Sequence, residues 1–502
     1  MNTESRNRWT RREFMGTIAG AAAAATLPGA LQAEDSKPAR KPNVLFLMVD
    51  DMRVELGCYS SRFGAKTPNI DALAKSGVRF DRNYCQFPLC NPSRSSLLTG
   101  RNPTKTGVLG NRTDFRLAHP DWTSLPQLFR ENGYVSVRAG KIFHGNGLDD
   151  PKAWMHVEEQ PDPREAGGGH TKTIAKDATP GKPADVQEPL PQDLTQAQYS
   201  DRIVVLDGNG EGHGDYHTAD RTIANLQKFK DQPFFIACGF VKPHSPPCAP
   251  QKFFDLYDVD KIKLPPDFAA WPTVPPGFPS AAIRKRNADL FIGRGASEAE
   301  AREVIRAYIA SISWTDWNIG RVIGELDRLG LRENTIIVLV VDHGYQLGEK
   351  GKWSKAGSLF EMGTRVPMII SAPGAEGNGA GCTRIVESLD IYPTLVELCG
   401  LPPQKEIEGT SLTPLLKQPS AKWDKPAFSI WSEDGKTIHG TAVRTEQWRY
   451  AEYGKDGVNG AMLLNPKDAD ELKNLADDPK YKSVVAELSA LTRKYAAGLE
   501  QA

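Results

Sequence analysis

The sequence predicts an α/β protein: a large domain on a central mixed, mainly parallel sheet, followed by a smaller C-terminal α+β subdomain. Three observations carry that prediction. Residues 41–49, 233–240 and 335–341 are continuous apolar runs, the pattern of strands buried on both faces of a parallel sheet. Each run delivers polar residues at its end: Asp50-Asp51, then Lys242 and His244, then Asp342-His343. Amphipathic helices separate the runs, and from about residue 376 the pattern changes to short alternating strands and a charged terminal helix.

The elements follow in order. Thr67-Pro68-Asn69-Ile70 starts a helix that Asn69 or Thr67 can cap, with Ile70, Leu73 and Ala74 on its inner face. Residues 77–80 lead back into the sheet. A second amphipathic helix covers 123–133 and stops at Gly133, before a short strand at 134–137. Residues 150–200, dominated by Pro, Gly, Asp and Glu, read as a long surface excursion that 208–214 continues. His213 and His217 join no constellation and are read as loop residues. A helix at 217–230 precedes the 233–240 strand, and the Pro-rich stretch 258–295 reads as irregular wall around a site. A long amphipathic helix spans 302–328, with Ile305, Tyr308, Ile309, Ile312, Ile319, Val322 and Ile323 on its buried side and Gly330 at its end. Residues 365–370 form a further strand, Asp390 begins a helix, and Ala442-Val443-Arg444 belongs to a short strand.

Composition excludes several classes. With 62 basic against 62 acidic side chains and a pI near 7.1, the chain has no global field for nucleic acid or an anionic membrane. No apolar run after the N-terminal segment reaches the length of a membrane span. The first residues have their own character: Thr10-Arg11-Arg12-Glu13-Phe14-Met15 precedes an Ala-rich apolar run broken by Pro28-Gly29. This is similar to a twin-arginine export signal over residues 1–33 and predicts a protein exported to the periplasm or secreted. The seven cysteines lack zinc-like spacing, and buried thiols are expected for most of them.

The chemistry centres on Cys85 to Arg101, CQFPLCNPSRSSLLTGR. Pro92 pre-sets a turn, and Ser93 or Asn91 can cap a helix that follows. That puts residue 90 at a helix N-terminus, where a developing anion is favoured, with Arg94 adding fixed positive charge. Asp50 and Asp51 repel each other unless a cation holds them, and a hard divalent ion such as Ca²⁺ does so through oxygen. Asp342-His343, at the end of another strand, can complete the same site. Lys141 and His144 follow a strand, and His244 sits in a loop stiffened by Pro243 and Pro246; these suit anion binding and proton transfer.

Cys90-Asn91-Pro92-Ser93-Arg94 with Leu98-Thr99-Gly100-Arg101 resembles the type I sulfatase signature, and the likeness extends over about residues 41–480. Lys141-x-x-His144, Lys242-Pro243-His244 and Asp342-His343 resemble the iduronate-2-sulfatase branch in particular. The resemblance implies an alkaline-phosphatase-like catalytic domain over 41–375 and a smaller subdomain over 376–502. It implies that a formylglycine-generating enzyme converts Cys90 to formylglycine, and that Asp50, Asp51, Cys90, Asp342 and His343 surround one divalent cation, most naturally Ca²⁺. For His343 two roles stay open, metal or sulfate. By the same resemblance Arg94 steadies the aldehyde hydrate, Lys141, Lys355 and His244 bind the sulfated substrate, and His144 and His244 form an acid/base pair. The implied reaction is hydrolysis of a sulfated saccharide, with a 2-O-sulfated uronic acid favoured. Two alternatives are a phosphodiesterase or phosphonate hydrolase of the same superfamily, and a non-catalytic sulfated-glycan-binding protein.

Overall fold

In a computed structural model, residues 41–145, 147–155, 169–173 and 201–497 are described; the export signal expected at 1–33 lies outside them. The strands run, in chain order, β1 (Asn43–Val49), β2 (Val78–Tyr84), β3 (Val135–Gly140), β4 (Gly169–Thr173), β5 (Arg202–Leu206), β6 (Phe234–Phe240), β7 (Cys248–Pro250), β8 (Thr335–Val341), β9 (Met368–Ser371), β10 (Gly381–Glu387), β11 (Ala427–Trp431), β12 (Gly440–Arg444), β13 (Arg449–Tyr453) and β14 (Ala461–Leu464). A seven-stranded sheet has the order β10-β2-β9-β8-β1-β6-β3. Its pairs are parallel except those of β9, which runs against β2 and β8. This is the mixed, mainly parallel sheet that the three apolar runs predict.

The alternation of side chains along β1 explains why those runs carry no polar residue. Leu45, Leu47 and Val49 face a core built with the long helix Glu298–Arg328, whereas Val44, Phe46 and Met48 face a second core with Leu97, Leu98 and the Leu125–Glu131 helix. Both faces are covered, so both sets must be apolar.

Several boundaries differ from expectation. The long helix starts before 302, at a capping box: Ser297 Oγ accepts from the Glu300 amide at 3.3 Å, and the Ser297 amide donates to the Glu300 carboxylate at 2.8 Å. Its first turn is charged and so carries no apolar period. The helix expected at 217 starts at Gly214, because His213, read as a loop residue, is its N-cap: Nδ1 accepts from the Asp215 amide at 3.0 Å. Thr67 precedes the Pro68–Lys75 helix without a capping bond from its side chain, and the Asn69 amide group donates to Asp316 instead. Within the expected surface excursion, β4 pairs with β5, which pairs in turn with β7.

Strand β10, past residue 376, still lies in the seven-stranded sheet, and a four-stranded antiparallel sheet, β11-β12-β13-β14, begins at Ala427. The helix Lys482–Ala496 packs on one face through Leu488 against Val443, Tyr450 and Leu463. The opposite face, with Ile430, Ala451, Tyr453 and Met462, packs on Phe87, Leu359 and Phe360 of the large domain. All seven cysteines are free, Cys58 and Cys399 half-buried and the rest buried. No helix among the described residues is long and apolar enough to cross a membrane.

Candidate active site

The site forms where parallel strands end together. The register sets Val49 opposite both Phe240 and Val341, and Gly140 opposite Gly239. The ladder runs one residue further: the amides of Asp50, Asp342 and Lys141 donate to the carbonyls of Phe240, Val49 and Gly239 at 3.1, 3.2 and 2.9 Å. Asp50-Asp51, Lys141, the Val241–Pro246 loop and Asp342-His343 therefore emerge along one edge. The approach of β3 to β6 needs glycine, since a Cβ on Gly239 would lie 2.0 Å from the Lys141 carbonyl oxygen.

Cys90 opens its helix rather than preceding it. The helix is Cys90–Thr99, Leu89 is the N-cap, and no side chain caps it. Pro92 thus sits inside the first turn, where its missing N–H costs no helical hydrogen bond. The residues expected to cap have other partners. Asn91 Nδ2 donates to the carbonyls of Gly110 and Thr113 at 2.9 and 2.8 Å, and Ser93 Oγ donates to the Asp342 carbonyl. Cys90 Sγ lies 3.2 Å from His343 Nε2 and 3.4 Å from Asp50 Oδ1. Arg94, fully buried, pairs with Asp342 Oδ2 through Nε at 2.9 Å and donates through Nη1 to the carbonyls of Lys141 and Ile142 at 2.7 and 2.9 Å.

Two carboxylates, a thiol and an imidazole converge here and could hold a metal ion. Ligand atoms of Asp50, Asp51, Cys90 and His343 lie within 4.8 Å of one another, and all four residues are buried. Asp51 Oδ1 is buried without a hydrogen-bond partner among the described residues. Asp51 itself sits at φ 61°, a left-handed conformation that a short polar side chain tolerates. Its amide donates to Asp342 Oδ1 at 3.2 Å and its carbonyl accepts from Tyr308 Oη. His343 Nδ1 lies 3.0 Å from the Gly344 carbonyl. A carbonyl only accepts, so Nδ1 carries the proton and the Nε2 lone pair faces the acids. Nε2 is 3.4 Å from Asp51 Oδ1 and 3.5 Å from Asp342 Oδ2, a repulsive arrangement that a cation relieves.

Lys141 Nζ pairs with Asp50 Oδ2. Lys355 Nζ lies 2.9 Å from Asp51 Oδ2 and 3.0 Å from Asp289 Oδ1. His244 Nε2 is 3.9 Å from Asp51 Oδ2, and its Nδ1 lies 2.8 Å from the Ser245 carbonyl. Its loop is tied down twice. The Asp215 carboxylate accepts from the amides of Val241 and Lys242 at 3.0 and 2.8 Å, and Lys242 Nζ donates to the carbonyls of His244 and Pro246 at 2.8 Å each. The sequence analysis missed Asp289. It lies in the Pro-rich stretch without periodicity, yet it is buried and its ligand oxygen lies within 4.8 Å of those of Asp51 and His244. No sequence signal marks it; only the fold brings it to Lys355. Among the described residues neither His144 nor His244 makes a hydrogen bond into the cluster: His244 Nε2 stands 3.9 Å from Asp51 Oδ2, and His144 Nδ1 is buried and unpaired.

The charges set distinct protonation states. Burial would raise Asp50, but Lys141 and Arg94 outweigh it and hold the carboxyl well below its usual range. Burial raises Asp51 well above it, Lys355 opposing and Asp50, Asp289 and Asp342 adding to the rise; burial and Asp50 likewise raise Asp342. Burial and then Asp50 push the Cys90 thiol well up. Burial and then the Lys141 ammonium bring His144 down to about 3, and burial and Lys355 lower His244.

The sheet, the acids at its carboxyl edge and the helix-borne Cys90 define a hydrolase of alkaline-phosphatase-like architecture. The chain belongs to the sulfatase family: the family model described as "Sulfatase" matches residues 42–401, and that described as "N-sulphoglucosamine sulphohydrolase, C-terminal" matches residues 348–497. The chain is 33% identical over 521 residues to iduronate 2-sulfatase of Mus musculus, covering 87% of this chain and 89% of that one. The predicted kinship to that branch therefore holds. A protein solved with its substrate D-glucosamine-2-N,6-O-disulfate shares the fold at a TM-score of 0.69 and 22% identity, over 92% of this chain and 99% of the other. A phosphonate monoester hydrolase from Silicibacter pomeroyi shares it at 0.68 and 22%, over 90% and 95%.

Proposed function

We propose that this sulfatase desulfates a saccharide carrying a 2-O-sulfated uronic acid, with Cys90 oxidised to formylglycine as its nucleophile. The observation that carries the reading is the placement of Cys90 Sγ, 3.2 Å from His343 and 3.4 Å from Asp50, against a buried acid cluster. Burial keeps the thiol itself protonated, which makes an unmodified Cys90 a poor nucleophile. The hydrate of an aldehyde there offers one hydroxyl to attack sulfur and a second whose deprotonation expels sulfate and restores the aldehyde.

The chain's own residues divide the remaining work. Asp50, Asp51 and the Nε2 lone pair of His343, with Asp342 Oδ2 3.5 Å from that nitrogen, would hold the cation, most naturally Ca²⁺ where three carboxylates supply oxygen. When bound, it supplies charge stabilisation for the transferring group. Arg94 stands beside residue 90 and anchors Asp342. Lys141 and Lys355, both held charged by neighbouring acids, would exchange part of that pairing for sulfate oxygens. His244, its Nδ1–H fixed on the Ser245 carbonyl, has the Nε2 lone pair turned toward the site; it would take up the proton that the attacking hydroxyl loses and pass it to the leaving alcohol, while His144 would take the proton of the second hydroxyl.

Mass spectrometry of the proteolytic peptide containing residue 90, from a host able to mature sulfatases, tests the nucleophile. A mass matching aldehyde in place of thiol is expected, with turnover of 2-O-sulfated uronic acid saccharides above that of phosphate or phosphonate esters. An unmodified Cys90 together with binding and no turnover would leave a sulfated-glycan-binding protein. Preference for phosphonate esters would move the chain to that branch of the superfamily.

A further inference from the structure

Lys355 reaches the catalytic cluster from an irregular loop after β8, on a flexible four-carbon stem, so no regular element fixes its ammonium. Two carboxylates do, Asp51 Oδ2 at 2.9 Å and Asp289 Oδ1 at 3.0 Å. Burial would lower Lys355, but Asp289 and then Asp51 outweigh it and hold the ammonium charged. The two acids differ in what carries them. Asp51 follows β1, whereas Asp289 lies in a stretch that is zipped to the loop of Lys355. Asn287 Oδ1 accepts from the Trp353 amide at 2.9 Å, and its Nδ2 donates to the Gly351 carbonyl at 3.3 Å. The Leu290 amide donates to the Trp353 carbonyl at 3.3 Å, and the buried Lys352 donates through Nζ to the carbonyls of Arg284 and Arg286 at 3.3 and 2.6 Å. Phe291 packs on Trp353 with ring centroids 4.9 Å apart. Asp289 and Lys355 are thus presented to each other by one clasped unit.

The two acids also differ in what else claims them. Asp51 converges with Asp50, Cys90 and His343 on the candidate cation position, and its Oδ1 is buried without a hydrogen-bond partner among the described residues. Asp289 stands outside that set and groups instead with Asp51 and His244. A lysine held by Asp51 alone would be drawn onto a carboxylate that the cation needs, because opposite charges a few ångströms apart attract strongly in a buried site. Asp289 supplies the opposing pull.

We infer that Asp289 is a positioning residue: it holds the Lys355 ammonium off Asp51, where it can meet the transferring sulfate, and it acts on the reaction only through Lys355. The inference rests on the reading of Lys355 as a sulfate-binding group. A double-mutant cycle on the mature enzyme, with 4-nitrophenyl sulfate as substrate, tests it. Asp289→Asn should lower kcat/KM about tenfold in the wild-type background and less than about twofold in the Lys355→Ala background, where no ammonium is left to hold. Losses that add would place Asp289 on another group, His244 being the nearest, and overturn the inference, as would no loss in the wild-type background. Calorimetric titration with inorganic sulfate gives a readout free of turnover. Removing a negative charge beside an anion site tightens anion binding if charge is all that Asp289 contributes, whereas a misplaced Lys355 weakens it. Sulfate binding about tenfold weaker in Asp289→Asn, and unchanged by that substitution in the Lys355→Ala background, is expected; unchanged or tighter binding rejects the inference. Should the amide variant not fold, Asp289→Glu, which keeps the charge on a longer arm, serves in the same cycle. If the wild type turns over no sulfate ester, the proposed function fails and the sulfate titration alone decides; a wild type that binds no sulfate rejects both.

Discussion

Asp51 carries the sharpest consequences at the scale of single residues. It is buried, left-handed in backbone conformation, and shares its surroundings with Asp50, Asp289 and Asp342. Removing a cation from such a cluster leaves the acids facing one another. Dialysis against a chelator should therefore lower the melting temperature, and Ca²⁺ should raise it again, adding about 2.7 kcal/mol of stability at a hundred times its Kd. Asp51→Asn should abolish both the drop and the recovery in differential scanning fluorimetry. Lys355→Ala should cut kcat/KM for a sulfate ester by about 10²–10³-fold if its ammonium meets the transferring group. It should also destabilise the fold, since Asp51 and Asp289 each lose a partner. A variant that keeps its activity would remove Lys355 from the site. Such residues differ in how readable they are. Asp50, Asp51, Asp342 and His343 are legible because each pair ends an apolar run. Asp289 is not, because its neighbours have no period and its partner Lys355 lies 66 positions away.

At the scale of elements, strand ends decide both stability and geometry. Gly239→Ala forces a methyl against the Lys141 carbonyl and should cost about 3 kcal/mol in denaturant unfolding, with activity falling because Lys141 moves. Glu387, at the end of β10, accepts from the Phe428 amide at 2.8 Å and is pushed up to about 8 by burial and then by Asp390, from an ordinary 4.5. A carboxyl raised on folding adds stability that is full below its unfolded value and lost as pH rises through its folded one. Glu387→Gln removes that proton linkage. The melting temperature of the variant should fall less than that of the wild type between pH 5 and pH 9; parallel curves would contradict the shift. Element types were legible where a run is buried on both faces or a helix shows one apolar stripe. Starts were not, because helix ends are settled by caps such as Ser297 and His213, whose partners are backbone amides.

For the whole molecule, the two sheets are joined by an apolar seam and by charge. Arg449 of β13 reaches Glu361 of the large domain and pairs through Nε with Glu471 at 2.8 Å, almost fully buried. Arg449→Met takes the Arg449 ion pair from Glu471 and leaves Glu361 only its longer contacts to Arg444 and Arg365, at 3.6 and 3.8 Å, and should destabilise the protein by about 3 kcal/mol. Unfolding should remain a single transition by fluorescence and circular dichroism if the seam makes the subdomains cooperative. A second, antiparallel sheet was legible as a change of pattern, though it begins at Ala427 and not at the change near 376; the place where the sheets touch was not, since Phe87, Phe360 and Ile430 each look like ordinary core. The depth of Cys90 has a consequence in time. With 2% of its surface exposed and His343 standing 3.2 Å from its sulfur from 253 positions downstream, Cys90 leaves a sulfate group a narrow approach but gives a modifying enzyme no grip on its backbone once the sheet has closed. At about 5–20 residues per second, roughly 10–50 s of synthesis separate the two residues. The proposed oxidation of Cys90 therefore belongs to the nascent chain, in a race with folding, and a protein that folds unmodified is beyond later rescue unless it is first unfolded.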